Sequence, residues 1–203
     1  MKKILPNFLF IIVGSLLFAV PLFAEVTTGN PAPDFSLSDT NGKSHSLSDF
    51  KGKYVVLEWV NPDCPFVKKH YDSKNMQNLQ SQYTQQGVVW LSINSSAQGQ
   101  QGAYSPQQFN QWTTERGARP TALLLDSDGR VGKSYGAQTT PHMFIINPEG
   151  NLIYQGAIDN IASTDPADVS KATNYVQKAL SESMAGQAVS VPATKSYGCS
   201  VKY

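Results

Sequence analysis

The sequence predicts an α/β fold: a central mixed sheet flanked by helices, with an N-terminal β extension and a C-terminal tail. Three observations predict it. Two β-branched, apolar runs, Tyr54-Val-Val-Leu-Glu-Trp-Val60 and Val88-Val-Trp-Leu-Ser-Ile93, have the composition of strands buried on both faces. Each is followed by a helix start, Cys64-Pro65 and Ser105-Pro106, with proline in the first turn, where its missing N–H is not needed. Met143-Phe-Ile-Ile146, Asn147-Pro-Glu-Gly150 and Asn151-Leu-Ile-Tyr154 read as a closing β-hairpin. Alternating strands and helices imply parallel strands with right-handed crossovers, and the hairpin adds antiparallel strands to the same sheet.

The chain opens with a segment to set aside. Lys2 and Lys3 precede an apolar run from Phe8 to Val20, and Pro21-Leu22-Phe23-Ala24 ends on a small residue. This is the pattern of a secretory signal peptide over residues 1–24, cleaved after Ala24. Leu22 is bulkier than the usual residue at its position. An uncleaved anchor is the alternative, but the apolar core is short for a span and no basic cluster follows it. The expectation is an exported, periplasmic protein with no stable membrane span after cleavage.

The elements follow in order. Phe35 and Leu37 alternate with serines as a short strand, Asp39-Thr-Asn-Gly42 turns, and His45-Ser-Leu47 resumes extended chain. Tyr54–Val60 is the central strand, and Asn61-Pro62-Asp63 leads out of it. One helix is predicted from Cys64 to Gly87, with Val67, Tyr71, Met76, Leu79 and Tyr83 on its apolar face. Val88–Ile93 is the next strand, and residues 94–104 form a polar loop. A helix runs from Ser105-Pro106 to about Glu115. Thr121–Leu125 is a strand, Val131–Tyr135 a short helix, and Pro166 to about Met184 a final amphipathic helix. The domain spans residues 25–185. Residues 186–203 are a flexible tail rich in small residues, carrying Cys199.

The whole chain has a formal charge of +1. The leader removes two lysines and no acids, which leaves −1. A near-neutral chain without a basic run excludes nucleic acid and anionic lipid as natural partners. About 180 residues can bury a full core without cysteine staples. Two cysteines nevertheless remain, Cys64 and Cys199, and in an oxidising compartment they either pair or react.

Cys64 follows a buried strand and opens a helix. The partial positive charge of a helix N-terminus favours a thiolate there, which points to a nucleophile rather than an inert core residue. Glu58, on the central strand, is expensive to bury when charged. Burial would make it a proton shuttle for the thiol, whereas a rim position or a lysine partner would make it ordinary. Cys199 is the second sulfur: a resolving thiol carried by a mobile tail, a structural bridge, or a link to another chain. Trp59, Phe66 and Tyr71 read as core, and any of the three also as lining for an apolar groove that takes a peptide or thiol substrate.

At these residues the chain resembles a known group. Pro31-Ala-Pro-Asp-Phe-Ser-Leu-Ser-Asp-Thr-Asn-Gly42, Lys51-Gly-Lys-Tyr-Val-Val-Leu57 and Thr140-Pro141-His-Met-Phe-Ile-Ile-Asn-Pro-Glu-Gly150 are similar to the landmarks of the thioredoxin-like redoxins of the alkyl hydroperoxide reductase/thiol-specific antioxidant superfamily, peroxiredoxin-like branch. The resemblance covers about residues 31–160 and implies a thioredoxin-like fold. It also implies a cis peptide before Pro141, facing the active sulfur where an extended substrate docks. Thr140, Pro141, Asn61 and Phe66 are then substrate-binding candidates. Cys64, Cys199 and Glu58 are the catalytic ones.

The departures are informative. Val67 stands where a thioredoxin has its second cysteine, so a local dithiol is absent. Leu57 and Asn61 stand where a typical peroxiredoxin has its Pro and its Thr or Ser, and Pro141 where it has an Arg. The reading is a thiol-dependent oxidoreductase. Cys64 attacks a peroxide or a disulfide, Cys199 resolves the product, and a thiol reductant restores the pair. No cofactor and no metal is expected. The competing reading is a binding protein or a copper or zinc chaperone using Cys64, Cys199 and His142; His70 and His45 read as structural or solvent-facing.

Overall fold

A computed structural model describes residues 26–203; the leader reading over residues 1–24 lies outside them. Strands β1 (Ser36–Asp39) and β2 (Ser44–Ser46) form an N-terminal hairpin, followed by a 3-10 turn over Leu47–Phe50. Strand β3 (Val55–Trp59) leads into helices α1 (Pro65–Asp72) and α2 (Asn75–Thr84) and then β4 (Val89–Asn94). Helix α3 (Pro106–Arg116), β5 (Ala122–Leu125) and α4 (Arg130–Tyr135) come next. The short β6 (Thr139–Thr140) precedes the hairpin of β7 (His142–Ile146) and β8 (Leu152–Gly156). A 3-10 helix (Pro166–Lys171), α5 (Tyr175–Met184) and β9 (Cys199–Ser200) end the chain.

The main sheet has seven strands in the order β2-β1-β5-β4-β3-β7-β8. β3 lies parallel to β4 and antiparallel to β7, and β4 lies parallel to β5. The buried β-branched runs thus become the centre of the sheet. One face carries Val56, Trp90, Met143 and Ile145 against α1, α2, α3 and α5. The other carries Leu57, Trp59, Leu91 and Phe144 against the N-terminal extension and α4. Pairing of Trp59 with His142 sets the C-terminal end of β3 beside the N-terminal end of β7. That register brings the Cys64 turn to Pro141.

Three expectations are corrected. The single helix over 64–87 is two. Lys74 has a left-handed backbone (φ 62°) between them, and the Tyr71 carbonyl at the end of α1 accepts from Lys74 N and from the Gln77 side chain instead of continuing the helix. The helix over 166–184 is also two, because Asn174 leaves the helical conformation and caps α5 through Gln177 N. The tail is not free. Thr194 accepts from Ala157 N, Tyr197 and Cys199 pack on the core, and the Tyr203 hydroxyl donates to Ala137 O. Bare glycines receive it: a Cβ on Gly156 would lie 2.2 Å from Thr194 Oγ1, and one on Gly132 2.4 Å from the Tyr203 hydroxyl.

Candidate active site

The turn after β3 is fixed from several sides. Val60 N donates to Ile93 O, and the Asn94 amide donates to Val60 O. Asn61 O accepts from Cys64 N, and its side chain accepts from Asp63 N and donates to Gln101 O. Both ends of the Asn61 side chain are therefore used inside the protein, and it is buried. It shapes the turn and packs on Gly102, where a Cβ would fall 2.2 Å from its Oδ1. Cys64 is the N-cap of α1, with Pro65 in the first turn.

The Thr140–Pro141 peptide is cis. It turns the Thr140 carbonyl toward the sulfur, and Cys64 Sγ donates to it at 3.0 Å. β9 then pairs antiparallel with β6, Thr140 opposite Cys199. The Cys64 and Cys199 sulfurs lie 2.7 Å apart as free thiols. A disulfide spans ~2.05 Å, so bonding needs an approach of well under ~1 Å. Gly198 permits this pairing: its φ is 137°, and a Cβ there would sit 2.1 Å from Thr140 O. Burial first, then the Cys64 hydrogen bond and charge, push the Cys199 thiol up to about 12. Cys64 is wholly buried beneath this strand. Among the described residues, the buried Thr140 hydroxyl has no hydrogen-bond partner.

Glu58 is neither at a rim nor paired with a lysine. It is fully buried, with Tyr71 donating to Oε1 at 2.8 Å and Trp90, Ser92 and Gln80 donating to Oε2 at 2.8, 2.9 and 3.2 Å. Desolvation raises its pKa, and the four hydrogen bonds oppose that only in part. Those bonds go to side chains of α1, α2 and β4, and none goes to a sulfur. Phe66 stacks edge-on against Tyr197 of the tail, with centroids 5.8 Å apart.

The three-ligand metal reading is corrected. His142 follows the alternation of β7 onto the face opposite Cys64. Its ring lies 4.5 Å from Phe144, and its Nδ1 accepts from Gln138 N. Burial lowers its pKa to about 4. Among the described residues no three His, Cys, Asp or Glu side chains converge as a metal site. His45 pairs with Asp39 at 2.9 Å in the extension. His70 belongs to a cluster that sequence reasoning missed, with Lys69, Asp159 and Tyr197. Its trace in the sequence is Lys69 and His70 on a helix face that should be apolar, and a Tyr two residues before Cys199.

Residues 28–155 match the model of the AhpC/TSA family. The chain belongs to that family. The match ends before the tail, so Cys199 stands outside it. A curated relative, the thiol-disulfide oxidoreductase ResA of Bacillus subtilis, is 32% identical over 129 residues, covering 64% of this chain and 66% of that protein. The chain thus matches just under two thirds of the length of that relative. Two solved structures resemble the fold over most of their length. A conserved protein from Geobacillus kaustophilus has a TM-score of 0.74 at 27% identity, covering 87% of this chain and 92% of that one. A protein from Sinorhizobium meliloti has a TM-score of 0.74 at 24% identity, covering 89% and 96%. The architecture is thioredoxin-like, a mixed sheet with helices on both faces, as the resemblance implied.

Proposed function

We propose that this AhpC/TSA-family protein is a thiol-disulfide oxidoreductase whose redox pair is Cys64 and Cys199, acting on extended disulfide substrates at the Thr140–Pro141 strand. The observation that carries this reading is the 2.7 Å separation of the two sulfurs beside the Thr140 carbonyl. The thiolate of Cys64 attacks one substrate sulfur. The substrate S–S bond breaks, and the leaving thiolate takes up a proton. Cys199 gives up its proton and attacks Cys64 in the mixed disulfide. The second substrate thiol then leaves protonated, and a Cys64–Cys199 disulfide remains. Two electrons have passed to the substrate, and an external thiol reductant returns them.

Disulfide is favoured over peroxide by what surrounds Cys64. Asn61 spends its side chain on the turn, and Pro141 offers no guanidinium to polarise an O–O bond. In this reading Thr140 and Pro141 present backbone to the substrate. Phe66 becomes available once Tyr197 lifts away, and Glu58 is a buried acid under the Cys64 helix. With the leader of residues 1–24 the protein would work in an exported, oxidising compartment.

Turnover of a peptide disulfide with a dithiol donor tests the proposal. Cys64→Ser is expected to remove turnover to the background rate, and wild type to reduce the disulfide faster than hydrogen peroxide. Undiminished turnover in Cys64→Ser overturns the reading; faster peroxide turnover moves the substrate to peroxides.

A further inference from the structure

The tail carries Cys199 to Cys64, and something must hold it in register. β9 is only two residues long, too short to fix a strand alone. Two residues before Cys199, the Tyr197 ring lies along one face of α1, the helix that Cys64 caps. It meets Phe66 edge-on at 5.8 Å, Lys69 Nζ at 5.7 Å from its centroid, and His70 Nε2 at 3.2 Å from its hydroxyl. These three residues are spaced i, i+3 and i+4, one stripe of the helix.

The hydroxyl enters a buried polar chain. The Asn75 amide lies 3.0 Å from His70 Nδ1. With Nδ1 accepting there, Nε2–H donates to the Tyr197 oxygen, and the Tyr197 O–H donates to Asp159 Oδ1 at 2.5 Å. Lys69 faces Asp159 Oδ2 at 3.5 Å and donates to Ile161 O at 2.7 Å. Lys69, His70 and Asp159 are all buried. Burial keeps His70 neutral, with its pKa lowered to about 4, as this donor pattern requires. A buried ion pair and a buried histidine are costly to leave without partners, and Tyr197 completes them.

We propose that Tyr197 is the positioning residue of the tail: its hydroxyl in the Lys69–His70–Asp159 cluster seats Cys199 on Cys64, and its release is the step that exposes Cys64. The proposal rests on the Cys64–Cys199 reading and adds the latch that governs it. With Tyr197 seated, Gly198 spans the one residue left before Cys199, and its lack of a Cβ lets the chain close on Thr140 O. With Tyr197 lifted, Phe66 and the Thr140–Pro141 backbone face solvent together with Cys64, which is what a substrate needs.

The test is iodoacetamide labelling of Cys64 in the reduced full-length protein, followed peptide by peptide. It uses no substrate and no oxidant, so it can fail while disulfide turnover stands, and the reverse. Tyr197→Phe removes only the hydroxyl. It is expected to speed Cys64 labelling by about tenfold, the effect of one lost hydrogen bond to a charged group on an opening equilibrium. Asp159→Asn keeps an acceptor but loses its charge and should also speed labelling, and the double variant should fall short of the product of the two effects, because both act through the Tyr197–Asp159 hydrogen bond. Hydrogen exchange in β3 and β4 should stay at the wild-type level. Labelling of Tyr197→Phe at the wild-type rate, additive effects of the two substitutions, or faster exchange throughout the sheet would each overturn the latch.

Discussion

Replacing Cys199 with serine is expected to stall the protein after its first chemical step. The substrate would remain bound to Cys64 as a mixed disulfide, because Val67 offers no local thiol and Cys199 is the only other cysteine in the chain. Only external thiol could then release it. A sulfur already 2.7 Å away acts as an intramolecular nucleophile, and even loosely tethered groups reach effective concentrations of about 1 mM, with oriented ones far higher. At about 10 μM external thiol, turnover should therefore fall by about a hundredfold or more. Mass spectrometry of the quenched reaction checks it: the accumulating species should be Cys199→Ser plus one substrate half. Wild-type turnover without such an adduct would remove Cys199 from the cycle.

Glu58 should give the largest stability effect. Glu58→Leu leaves the donors of Trp90, Ser92, Gln80 and Tyr71 buried without an acceptor. At about 1–3 kcal/mol for each group stranded, partly relieved by rearrangement, the loss should be about 3–5 kcal/mol, read by chemical denaturation. Glu58→Gln behaves differently. Its carbonyl can keep Trp90 and Ser92 while its amide faces Tyr71, whose hydroxyl also accepts. Burial raises the Glu58 pKa in the folded state, so between the unfolded and folded values the folded protein holds the extra proton. This contribution is full below the unfolded pKa and is lost as pH rises through the folded one. Glu58→Gln does not titrate, so it should gain on wild type as pH rises from about 4.3. A stability difference that stays flat with pH would show that Glu58 is not the buried acid the geometry describes.

Much of this architecture is local, and local signals are legible in a sequence. The β-branched runs around Val56 and Trp90 could only be buried strands, and Pro65 and Pro106 marked helix starts in the right places. The place of Cys64 was legible for the same reason: a strand-to-helix turn has a short-range signature. The cis state of Pro141 came from the resemblance, since X-Pro by itself favours trans. What was illegible is long-range. The break at Lys74 depends on Gln77 reaching back to Tyr71 O. The four donors around Glu58 come from three elements. The tail looked free because small residues dominate its composition, yet its anchors are single side chains, Thr194, Tyr197 and Tyr203, seated on glycines or buried charges far away in sequence. The alternation that turns His142 away from Cys64 is readable in β7, but only once Met143 is known to face α1.

In the proposed cycle Cys64 and Cys199 form one redox pair within one chain. The direct measurement is oxidation of the reduced full-length protein by one equivalent of a disulfide oxidant, with non-reducing peptide mapping over a range of protein concentrations. A single cross-linked product joining the Cys64 and Cys199 peptides in a monomer is expected, its share of the oxidised protein unchanged across that range. A Cys64 that remains unpaired, or a cross-link between chains whose share rises with protein concentration, would rule the pair out.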